Sequence, residues 1–198
     1  MFVNQLKKPL IKTLVPALLL SVASMQASAA DYVIDTKGQH AFIQFKIQHL
    51  GYSWLLGNFN TFEGKFSYDA NDVNATKVAL TIDTNSVDSN HAERDKHLRG
   101  KKFLDVKAFP QAKFVSTKVV SEGGKKSVLH GDLTLHGVTK NVAIQVNEIG
   151  GGKDPWGGYR QGFEGKTTFA LADFGIMTNL GPASQNVEMY LSIEGVRL

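Results

Sequence analysis

From residue 41 onward, apolar and polar positions alternate along the chain in short runs. In AFIQFKIQHL, Ile43, Phe45 and Ile47 alternate with Gln44, Lys46 and Gln48, the period of a β-strand with one face in water. The alternation recurs seven more times. Phe62, Phe66 and Tyr68 mark the second run and Val78, Leu80 and Ile82 the third. Phe114 begins a less decisive run in AKFVSTKVV. Leu129, Leu133 and Leu135 follow, then Val142, Ile144 and Val146, then Phe163, Phe169 and Leu171, and finally Val187, Met189, Leu191 and Ile193. Turn residues separate the runs, among them Gly123-Gly124, Gly150-Gly151-Gly152 and Gly181-Pro182.

About eight sequential strands with short connections predict an all-β, up-and-down antiparallel arrangement. A closed barrel satisfies the pattern and leaves no sheet edge, although a two-sheet sandwich carries the same alternation. No repeat or linker divides the chain, so one domain is expected.

The segment NHAERDKHLRGKKFLD breaks the strand pattern. Asn90 and Glu93 have capping-box spacing, Glu93 with His97 and Asp95 with Arg99 stand four apart, and Gly100 offers a stop. A polar helix of about two to three turns is therefore predicted within residues 90–109, lying across a surface because only Ala92 and Leu98 are apolar. Phe103, Leu104 and Phe109 are placed to anchor the chain's return, and Pro110 hands it to the next strand.

Composition adds an address. Lys7, Lys8 and Lys12 precede the apolar run LVPALLLSVA and the small residues of ASAAD, the pattern of a secretory signal peptide whose apolar core is too short to span a bilayer. Cleavage is expected after Ala29, with Ala30 the alternative, leaving residues 30–198 as a soluble periplasmic domain. The three leader lysines account for most of the formal charge of +4. A nearly neutral domain lacks the clustered basic excess of a nucleic-acid binder. The chain has no cysteine, so neither disulfides nor thiolate metal sites are available.

Candidate chemistry is sparse. HAE has the H-x-E spacing of zinc deaminases, but their cysteine pair is missing. His130 and His136 lie six strand residues apart, roughly 20 Å, and His91 and His97 point to different helix faces. No metal, cofactor or catalytic set is expected. Parity instead singles out Gly64, Gly131, Gly165 and Gly195, which share the apolar face of their strands. They either let the barrel bend at its corners or leave an interior hollow for an apolar ligand.

Five stretches carry a further signal: HAFIQFKIQHLGYSWLLGNF, SVDSNHAERDKHLRGKKFLD, GDLTLHGVTKNV, DPWGGYRQGFEG and DFGIMTNLGPASQNVEMYLSIEGV. In order and spacing they resemble the YceI family of exported bacterial proteins over essentially the whole mature chain. The resemblance implies a lipocalin-like antiparallel barrel with a helical insert where the charged segment stands. Gly51 and Trp54 are spaced G-x-x-W rather than the G-x-W of true lipocalins, so the likeness to those is architectural. The resemblance also implies a long isoprenoid ligand, a polyprenyl phosphate or a quinone-like lipid. Inward parity makes Phe45, Phe62, Phe66, Phe114, Phe163, Phe169 and Met189 the expected barrel lining, and Tyr52, Trp54, Arg94, His97 and Arg99 the expected mouth. The residues leave open an enzyme that modifies such a lipid through His97, Glu93 or Asp95, a stress-related interaction module with a packed barrel, and a homodimer formed through an outer strand face.

Overall fold

The computed structural model describes Met1 and residues 29–198; the expected signal peptide lies outside the described residues. In chain order the elements are β1 (Ala30–Ile34), β2 (Phe42–His49), β3 (Ser53–Phe59), β4 (Phe62–Tyr68), β5 (Lys77–Asp83), β6 (Val87–Asp88), α1 (Ala92–Leu98), β7 (Gln111–Gly123), β8 (Lys126–Leu135), β9 (Val138–Lys153), β10 (Tyr159–Ala170) and β11 (Asn186–Arg197).

The ladders reduce these segments to eight staves. β4 pairs with β1 and β5, while β3 pairs with β2 and β6, so β1 with β2, β3 with β4 and β5 with β6 each form one bent stave. β7 to β11 supply the other five, each antiparallel to the next. β11 closes the barrel by pairing with β2 at Met189–Phe45 and with β1 at Val33–Val196. The result is a closed, antiparallel, up-and-down barrel of eight strands with one short helix. Closure excludes the sandwich that the alternation alone allowed.

Three segments escape the simple pattern. β3 has Leu55 and Phe59 facing inward but Trp54 and Leu56 exposed outside, so its SWLLGNF reads as a continuous apolar run. β1 is short and abuts the predicted cleavage point, and β6 has two residues. In β7 a bulge between Ser116 and Lys118 flips parity, so both Phe114 and Val119 are buried, and this is why AKFVSTKVV alternates poorly. The β8–β9 hairpin turns through His136 (φ 50°) and Gly137 (φ 75°), the two left-handed residues of a type I′ turn.

The helix differs in its cap. Asn90 takes φ 61°, and His91 is the N-cap, its Nδ1 accepting from the Arg94 amide at 3.2 Å. The expected four-apart pairs yield to other partners. Buried Asp95 accepts from the Ser89 amide at 2.8 Å and hydroxyl at 2.5 Å, and Arg99 donates to the carbonyls of Asn85 and Val87, both at 2.8 Å. The helix lies on the surface as expected, with only Asp95 buried, and is bolted to the end of β6. Phe109 packs on His136 with ring centroids 4.7 Å apart, and Phe103 and Leu104 join the core.

Candidate ligand cavity

The two barrel ends are built differently. At the lower end, Tyr32 stacks on Phe66 at 4.8 Å, and Phe163 meets the edges of Phe66 at 5.6 Å and Tyr68 at 5.0 Å. The Tyr68 hydroxyl donates to Glu148 at 2.9 Å, and the buried Gln161 donates to the other Glu148 oxygen at 3.1 Å. Burial, reinforced by Glu148, pushes the Tyr68 phenol above its ordinary value. These groups floor the barrel.

Above this floor the interior is hollow. An apolar cavity of about 500 Å³ runs up to the end that carries α1, within the range usual for small-molecule sites. Its wall includes Ile43, Leu80, Leu129, Leu133, Ile144 and Leu191, and polar groups reach it from the lower half, among them Tyr68, Thr76 and Ser127. The Thr76 hydroxyl is buried with no hydrogen-bond partner among the described residues.

Of the residues expected to line the barrel, Phe45, Phe66, Phe114, Phe163, Phe169 and Met189 border this cavity. Phe62 does not: it is buried in the surrounding core cluster. At the mouth, Arg94 and His97 border the opening together with His49, Leu50, Leu180 and Ser184. The Arg94 guanidinium is held by Ser89, its Nε donating to the hydroxyl at 2.8 Å and its Nη2 to the carbonyl at 2.5 Å.

The other three mouth residues stand elsewhere. Tyr52 is 86% exposed at the tip of the β2–β3 hairpin, and Trp54 lies on the outer face under the Lys46 ammonium, 4.3 Å from its ring centroid. Arg99 is spent on backbone carbonyls. Trp54 alternates with the inward Leu55 and so points outside, and the hairpin carries Tyr52 out to the rim.

The inward glycines receive an answer that neither sequence reading contained. A Cβ on Gly131 would collide with the Phe114 ring, one on Gly195 with Phe66, and one on Gly57 with Phe45. Phe114 and Phe45 each lie over a glycine of the adjoining stave, and Phe66 reaches over Gly195 past the β1 stave that stands between them. Gly64 and Gly165 are covered in the same way by aliphatic side chains, Ile34 and Leu80 over the first and Ile144 and Leu191 over the second. The glycines admit large side chains against the wall, which keeps the axis open.

One cluster had no sequence signal. Arg160 donates to Asp35 at 2.5 Å, Glu194 at 2.5 Å and Asp154 at 3.0 Å, and His40 lies 3.1 Å from Asp35. Asp35, His40 and Glu194 stand close enough to share a cation, but the guanidinium already occupies their midst. The members come from three separate parts of the chain, Asp35–His40, Asp154–Arg160 and Glu194, so only closure brings them together.

A closed eight-stranded barrel with an apolar hollow open at one end defines a class of proteins built to enclose one small ligand. The chain belongs to the YceI family: residues 32–195 match the YceI-like domain. A UPF0312 protein of Shewanella oneidensis is 57% identical over 192 residues, covering 97% of this chain and 100% of that protein. Among solved structures, the Campylobacter jejuni YCEI protein is 26% identical with a TM-score of 0.68, covering 76% of this chain and 90% of that one. Burkholderia cenocepacia BcnA (TM-score 0.72, 22% identity, 81% of this chain and 98% of that one) shares the fold. So does a polyisoprenoid binding domain from Saccharophagus degradans (TM-score 0.62, 15% identity, 86% of this chain and 100% of that one).

Proposed function

We propose that this protein is a periplasmic binding protein or carrier that holds a long-chain isoprenoid, or a similar amphipathic lipid, inside its barrel. The observation that carries the reading is the apolar cavity of about 500 Å³, open at one end and floored at the other. A lipid chain entering it gains about 0.8 kcal/mol for each methylene removed from water, so affinity does not require many polar contacts. Phe45, Phe66, Phe114, Phe163, Phe169 and Met189 contact the chain in this reading, and Arg94 and His97 stand where its polar end emerges. The Saccharophagus domain, named for polyisoprenoid binding, is alike in fold, so the ligand class rests on this chain's own cavity.

The test is organic extraction of protein purified from its native periplasm without detergent, followed by mass spectrometry against a mock purification. A stoichiometric isoprenoid is expected. An empty extract, together with failure to take up added polyprenyl lipid, would overturn the reading.

A further inference from the structure

The mouth of the barrel carries a surface that the cavity does not explain. The β2–β3 hairpin touches the β10–β11 connection, with Leu50 against Gly181 and Gly51 against Ala183, and the Ser184 hydroxyl donates to the Gln48 carbonyl at 2.5 Å. That connection in turn reaches the charged insert, where the Thr178 hydroxyl donates to the Lys102 carbonyl. One continuous rim is formed. From it project Tyr52, 86% exposed, and Met177, 75% exposed, with Leu50 half-exposed between the hairpin and the opening. Exposed Lys101 and Lys102 stand on the same rim and form no ion pair among the described residues.

The charged insert at this end is locally basic. Between residues 90 and 107 the chain has six lysines and arginines against three carboxylates, while the domain as a whole is nearly neutral. Apolar side chains projecting beside unpaired lysines fit an anionic bilayer surface: rings and thioether enter the headgroup region while ammonium groups meet the lipid phosphates.

We propose that the rim formed by Tyr52, Met177, Lys101 and Lys102 docks the barrel, mouth down, on an anionic lipid bilayer. The inference rests on the carrier reading for its purpose, because a cavity lipid residing in a membrane can then pass between bilayer and barrel without crossing water. Electrostatic attraction orients the encounter, and the apolar tips hold it.

The experiment is co-flotation of the mature protein with vesicles of phosphatidylethanolamine and phosphatidylglycerol, with phosphatidylcholine vesicles alongside. Binding to the anionic vesicles is expected, falling more than about tenfold in Lys101→Glu/Lys102→Glu and in high salt. It should also fall in Tyr52→Ser/Met177→Ser and stay unchanged in Ile149→Ser at the far end. No binding, or equal loss in the far-end variant, would overturn the inference. So would a dimer in light scattering that the rim variants dissociate while vesicle binding is absent. Lipid extracted from the same preparations separates the two ideas. Retained cavity lipid without vesicle binding removes the docking surface alone, and vesicle binding by a barrel that neither contains nor accepts lipid removes the carrier reading alone.

Discussion

The Arg160 guanidinium donates to the Asp35 carboxylate at 2.5 Å across 125 residues of chain, tying the exit of the first strand to the tenth. Glu194 and Asp154 accept from the same side chain. Removing Arg160 leaves three carboxylates facing one another. Arg160→Met should therefore lower the midpoint of urea unfolding, with the loss localised by hydrogen exchange to β1 and the end of β11.

The same contact sets an acid limit. The Arg160 hydrogen bond, opposed by burial and aided by the Gly38 amide and His40, holds the Asp35 carboxyl down at about 2. A depressed carboxyl contributes stability that is fully present above its unfolded value near 4 and is lost as pH falls through about 2. Unfolding midpoints measured between pH 5 and pH 2 should drop in the native protein and drop less steeply in Asp35→Asn.

Placing a side chain on Gly131 displaces Phe114 from the wall. Gly131→Val should destabilise the barrel by about 1–3 kcal/mol through overpacking and should lower lipid content, since the ring has only the cavity to move into. Thermal unfolding and extracted lipid report the two effects.

Filling the hollow separately tests the ligand site. Leu133 and Met189 both border the cavity. Leu133→Phe with Met189→Phe should leave the melting temperature within a few degrees and reduce isoprenoid uptake, measured by titration with a fluorescent polyprenyl lipid.

His97 separates carrier from enzyme. His97→Ala should keep its bound lipid chemically unchanged by mass spectrometry; accumulation of a new lipid species in the variant would favour catalysis at the mouth.

Period-two alternation carried the eight staves and the apolar face of each, because burial on one side of a strand leaves that trace directly in sequence. The trace fails where both faces are apolar, as at Trp54 to Leu56, and where a bulge resets parity, as between Phe114 and Val119. Parity likewise picked out Phe45, Phe114 and Met189, yet it cannot distinguish an inward residue in the packed zone from one on the hollow, and Phe62 shows the difference. The Arg160 cluster left no trace because it depends on how the first and last staves meet. The helix cap shifted from Asn90 to His91 because Ser89 and Asp95 bind each other, a partnership that local capping rules do not anticipate.

In a barrel, bore is usually reckoned from the number of strands. Here Phe45 and Phe114 each lie in the space left by a missing side chain on the next stave, and Phe66 in the space left at Gly195 one stave further on, so wall thickness is a second, independent dimension of the design. Each glycine sets the local calibre. Exchanging glycine–aromatic pairs at Gly57, Gly131 or Gly195 for two mid-sized residues would reshape the channel at a chosen depth while every backbone hydrogen bond stays in register, which makes this barrel a graded sleeve rather than a pocket of fixed form.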